Sequence, residues 1–151
     1  MNKTLWRRSA LLAALAALLA VGLVACGSED EAGANTGVIS AITIIDKAGL
    51  HDIDDTIKTK QTIPPTARTT ALHLQTVTLL TDWPKDLKEP AKKLATAFGE
   101  LAASVDGDKP DLAKASTAAH EAHEVAHDFS QAVWAHLQAE AGVKASPHAN
   151  D

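Results

Sequence analysis

The 151-residue chain has no tyrosine, a single methionine and a single cysteine, and aromatic residues make up only 3% of it. One thiol excludes a disulfide within the chain, a cysteine-built metal knuckle and the Cys-x-x-Cys-His of covalent haem attachment. There is no glycine-rich phosphate loop and no Gly-x-Ser-x-Gly elbow, which removes the common nucleotide-binding and serine-hydrolase signatures. Positive charge is also short, with 14 Lys and Arg against 19 Asp and Glu, a net of -5. Nucleic-acid binding leans on Lys and Arg contacts to phosphate, so this balance argues against it. With so few aromatics, any core must be built largely from Ala, Leu, Val and Ile.

The basic residues that are present are unevenly placed. Lys3, Arg7 and Arg8 precede an unbroken run of Ala, Leu, Val and Gly from Ala10 to Ala25. A basic start followed by a short apolar stretch is the pattern of a secretory signal. The run falls short of the roughly 20 apolar residues of a stable membrane span. It ends in Leu23-Val24-Ala25-Cys26-Gly27, which resembles the bacterial lipobox. The resemblance implies cleavage before Cys26, lipidation of Cys26 by diacylglycerol and palmitate, and a membrane-anchored lipoprotein facing an extracytoplasmic space. That space would be the periplasm or the cell surface, with the anchor in the cell membrane or outer membrane.

Loss of residues 1–25 removes three basic and no acidic residues, leaving 11 and 19, a net of -8. A surface this acidic would not cling to anionic lipid unaided, so the lipid would have to be the anchor. The only thiol would be spent on it, and Met1, the only methionine, would leave with the signal. Met/His haem ligation is then excluded as well.

Gly27 to Gly37 is small and acidic, and residues 26–37 read as a lipidated cysteine and flexible tether. Four helical segments follow within 38–141. The first, over 38–58, keeps Ile42, Ile45, Gly49, Ile53 and Ile57 at helical spacing, although Val38–Ile45 is β-branched enough to read as a strand. The second, over 66–82, follows Ile63-Pro64-Pro65. The third, over 84–105, carries Leu87, Ala91, Leu94, Phe98, Leu101 and Val105, the seam of a bundle helix. Pro90 either kinks it or marks its start. Asp106-Gly107-Asp108 makes a tight turn, and the Asp108–Asp111 stretch caps a fourth helix over 110–140. Gly142 stops that helix, and residues 142–151 read as a disordered tail. The expected fold is all-α, an up-down four-helix bundle.

The chemistry lies in the last helix, in His120-Glu121-Ala122-His123-Glu124-Val125-Ala126-His127. HEVAH formally matches the HExxH motif of zinc metallopeptidases (zincins), in which two His one turn apart hold Zn²⁺ and the Glu activates water. The surroundings depart from that family. Ser130 and Val133 stand where a metzincin has Gly and His, and no downstream helix offers a gluzincin's Glu. A simpler metal site fits better. With the apolar stripe through Ala126 as zero, His123 projects at about 60°, His127 at about 100° and His120 at about 120°. His136 falls at about -80°, on the other flank.

His120, His123 and His127 are therefore candidate metal ligands, with Glu124 further round. His73 is placed beside Leu74, Val77 and Leu80 on the expected buried side of the second helix. His51 sits close to Asp52, Asp54 and Asp55. Either histidine could complete a His₃ or His₂-carboxylate set suited to Zn²⁺, Cu²⁺ or Ni²⁺. Bis-His haem ligation by His73 and His123 stays open at this point. Trp134 shares the histidine flank, and Asp46 would need a partner if buried, Lys92 and Arg68 being the candidates.

Three functions follow: a metal-binding envelope lipoprotein for storage, buffering or delivery; a non-enzymatic bundle that docks on an envelope protein; and a minimal metallopeptidase.

Overall fold

The computed structural model describes residues 29–143, with side chains from Asn35 onward. The expected signal peptide, Cys26 and most of the expected tail lie outside the described residues. Among the described residues there are five helices and no strand: α1 Glu29–Asp46, α2 Leu50–Lys60, α3 Ala67–Leu80, α4 Lys88–Ser104 and α5 Leu112–Glu140. They make a four-helix bundle whose first arm is split into α1 and α2. The compact unit that carries the bundle starts at Asn35.

Two departures from the sequence reading concern that first arm. Residues 29–37, read as tether, are helical. Once the packed stretch from Val38 to Ile45 has nucleated a helix, each further residue adds a hydrogen bond at little cost. The helix expected over 38–58 is interrupted between Asp46 and Leu50, where Gly49 takes a left-handed conformation at φ 70°. Only glycine enters that region without strain, so the break is written into the sequence. It lets Val38, Ala41, Ile42 and Ile45 of α1 and Leu50, Ile53 and Ile57 of α2 all face inward.

The later boundaries have local causes. Pro90 sits in the first turn of α4, where its missing N–H would have no helical partner anyway. Gly107 forms the turn before α5 at φ 89°, with the Asp106 side chain accepting its N–H at 2.9 Å. Asp111 caps α5, accepting the N–H groups of Ala113 and Lys114 at 2.9 and 3.2 Å.

The pairings are antiparallel. Asn35 meets Glu140, Asp46 meets Trp134 and Asp54 meets His120, so numbers rise along the first arm as they fall along α5. Arg68 pairs with Asp106, and the Gln75 amide donates to the Ala95 carbonyl, so α3 runs against α4 in the same way. Helix α5 packs on α2 and α4, while α3 packs on α4, which leaves α3 across the bundle from α5. Phe98, Leu94, Leu101, Leu74, Ile42, Ile57 and Val133 fill the centre. Trp83 closes one end, donating to the Thr78 carbonyl at 2.8 Å and meeting Phe129 edge to face at 4.9 Å. The buried line of α3 is Ala67, Ala71, Leu74 and Thr78, with Leu79 and Leu80 exposed. Gly99 of α4 leaves room for the Gln75 amide, whose nitrogen lies 2.5 Å from where a Cβ would stand.

Candidate metal centre

The antiparallel register of α2 and α5 brings Asp54 beside His120 and His123. One donor atom from each lies within 4.8 Å of the other two, and the group could hold a metal ion. His120 Nδ1 donates to Asp54 Oδ2 at 3.2 Å. His123 Nδ1 stands 3.4 Å from the same oxygen. Donor atoms bound to one tetrahedral Zn²⁺ at its usual bond lengths stand about 3.3 Å apart, so both separations match edges of such a polyhedron.

Burial sharpens the case. Asp54 is buried, His123 half-buried and His120 exposed. His123 Nδ1 is attracted to the carboxylate at 3.4 Å but does not point along a hydrogen bond to it, and Asp54 Oδ1 is likewise buried without a hydrogen-bond partner. Unpaired buried polar atoms are costly, and Asp54 and His123 carry one each; the third among the described residues is His136 Nε2, near Glu140. Two imidazoles around one carboxylate, with lone pairs left over, form a donor set suited to a borderline-soft cation.

The other candidates are placed as follows. His51 is exposed, three residues before Asp54 on α2, with its ring edge-on to His123 at a centroid distance of 5.2 Å. Glu124 is exposed, its Oε1 4.0 Å from His123 Nδ1 and outside the three-residue group. His127 also stands outside it, exposed, with its Nδ1 accepting the Gln131 amide at 3.0 Å. His127 therefore does not gather with His123 and a third ligand, and the HEVAH segment does not form a zincin site among the described residues. His73 is exposed on α3, not buried as its neighbours in sequence suggested. Because α3 lies across the bundle from α5, His73 cannot face His123, and the bis-His haem arrangement falls.

Asp54 joins the group although the sequence points to it only as a neighbour of His51. The available signal was its place three residues after His51 on a helix antiparallel to the histidine helix.

Next to the group lies an open cleft of about 200 Å³. Ile45, Leu50 and Ala126 give it an apolar floor, and Asp46, His51, His123, His127, Ser130 and Gln131 its polar rim. Asp46 is exposed, not buried, and accepts the indole N–H of Trp134 at 3.2 Å. Its expected cationic partners are elsewhere, Arg68 being taken by Asp106 at 3.0 Å.

Comparison with protein-family models, with curated proteins and with solved structures returns no match.

Proposed function

We propose that the protein is an exported lipoprotein, anchored through lipid on Cys26, whose bundle binds a divalent transition metal on Asp54, His120 and His123. The observation that carries the metal reading is the pair of orphaned buried atoms, His123 Nδ1 and Asp54 Oδ1, in a His₂-carboxylate group. Zn²⁺, Cu²⁺ and Ni²⁺ all suit two imidazoles and a carboxylate. Three protein ligands leave a coordination position open, which fits holding and handing on an ion better than sealing it in. His120 at the surface gives the ion a way in and out, as buffering or delivery requires. The ligands come from two separate helices, so binding would also tie α2 to α5.

The test is metal content and calorimetric affinity of the full-length protein purified in detergent, for Zn²⁺, Cu²⁺ and Ni²⁺ in turn. Stoichiometric binding that is lost in His120→Ala/His123→Ala supports the reading. No bound metal, or undiminished binding in that variant, overturns it. The anchor is tested separately: Cys26→Ala should release the protein from the membrane fraction and abolish palmitate labelling.

A second reading, a non-enzymatic module that docks on an envelope protein, draws on Leu79 and Leu80 at the end of α3, which are 63% and 81% exposed. Leu79→Ser/Leu80→Ser should then abolish cross-linking to a partner in intact cells while leaving metal content unchanged.

A further inference from the structure

We propose that the cleft beside the metal group binds a small organic cation, about the size of an amino acid, whose far end completes the metal's coordination. This rests on the metal reading above and names what shares the ion.

Four observations carry it. First, three protein ligands leave the ion with an open position, and His123 belongs both to the metal group and to the cleft wall. A molecule seated in the cleft therefore lies alongside the ion. His51, edge-on to His123, lines the same wall.

Second, the size is limiting. A volume of about 200 Å³ falls below the roughly 300 Å³ at which ordinary drug-sized sites begin. It admits an amino acid or a biogenic amine and excludes a folded peptide.

Third, the charge selects a cation. No Lys or Arg lines the cleft, so apart from the ion itself no fixed positive charge meets a ligand there. Asp46 supplies a carboxylate that no Lys or Arg among the described residues neutralises. The Trp134 indole donates to one of its oxygens and leaves the other free to accept an ammonium.

Fourth, the cleft is lined by Asp46 and by an imidazole wall, with the apolar side chains of Ile45 and Leu50 lining it as well. A ligand spanning the two needs a short hydrocarbon middle, an ammonium at one end and a Lewis base at the other. No covalent step is involved. The Lewis base donates a lone pair to the ion in place of water.

Histamine and imidazole separate the elements of this proposal, because both donate a ring nitrogen and only histamine carries an ammonium. The experiment titrates each into the full-length protein in detergent, metal-free and zinc-loaded, with equilibrium dialysis checking that zinc stays on the protein. Histamine should bind the zinc-loaded protein about fivefold tighter than imidazole, the size of one partly exposed ion pair. Asp46→Asn, which keeps an acceptor for Trp134, should erase that advantage and leave zinc affinity unchanged. The metal-free protein should bind both ligands at least about tenfold more weakly, having lost the coordinate bond. Ser130→Trp, which fills the rim, should block histamine and spare zinc.

Equal affinity for histamine and imidazole, or an advantage that survives Asp46→Asn, overturns the proposal while the metal reading stands. Failure of zinc itself to bind in the same titration overturns both.

Discussion

Helix α5 carries two histidine–carboxylate groups, separated by about 20 Å of helix, and they are built in opposite proportions. At the α2 end, two imidazoles share one carboxylate, Asp54. At the other end, one imidazole, His136, stands between two carboxylates: its Nδ1 donates to Asp86 at 2.9 Å and its Nε2 lies 3.3 Å from Glu140. Glu140 in turn accepts the Asn35 amide at 3.0 Å. The ratio decides what each group can do alone. A single imidazole between two carboxylates joins α5 to the α3–α4 connection through Asp86, and Glu140 beside it holds Asn35 of α1. Two imidazoles on one carboxylate bring three donor atoms to one place, and that group could hold an outside cation. The two groups contain the same residue types, but among the described residues only Asp54, His120 and His123 gather their donor atoms within 4.8 Å of one another.

The contrast can be broken at either end. The largest effect should come from His120→Ala/His123→Ala, expected to weaken zinc binding by more than about 100-fold, since losing even an outer-sphere partner costs 10- to 100-fold. His136→Ala should leave zinc affinity where it was, and titration calorimetry on both variants checks the pair. Zinc at one hundred times its Kd should stabilise the parent protein by about 2.7 kcal/mol, read as a rise in the melting temperature. The His120/His123 double variant should show no such rise. Zinc affinity should also fall in mildly acidic buffer, because each liganding imidazole must be free of its proton.

Next in size, His136→Ala should destabilise the metal-free protein by about 1 kcal/mol, the scale of one net hydrogen bond, in denaturant melts. A loss no larger than that of an exposed control such as His73→Ala would show that the His136 group is not a fastening. The smallest effect is expected from Asp54→Asn without metal, within about 0.5 kcal/mol of the parent. A carboxylate buried with an unpaired oxygen contributes little net stability when no ion is bound. A large loss in that variant would mean that Asp54 serves the fold, and the two groups would then be alike.

The scaffold was largely legible in the sequence, and the site only partly so. Of the α5 stripe Leu112, Ala115, Ala119, Ala122, Ala126, Val133 and Leu137, the five middle residues are buried, Leu137 is half-buried and Leu112 in the first turn is exposed. The Asp106-Gly107-Asp108 turn stands where its residues predict. These are local signals, settled within a few residues of chain. His120 and His123 were picked by their shared direction on one helix, which is also local. His127 shares that direction, yet a single hydrogen bond to Gln131 engages it elsewhere. Asp54 depends on the register between α2 and α5, which no one-helix pattern contains. His73 was misplaced for a related reason. Its helix buries the line Ala67, Ala71, Leu74 and Thr78, which leaves His73, Leu79 and Leu80 outside it.

The tryptophans give the protein an optical property of its own. Trp83 is buried against Phe129, whereas Trp134 is 39% exposed and bonded to Asp46 at the cleft. With no tyrosine in the chain, ultraviolet emission from residues 26–151 comes almost wholly from these two indoles. The buried one should emit towards the blue and follow unfolding. The exposed one should emit towards the red and follow events around Asp46. A spectrum recorded during any titration would therefore report the integrity of the bundle and the state of the cleft in separate bands, without an added dye.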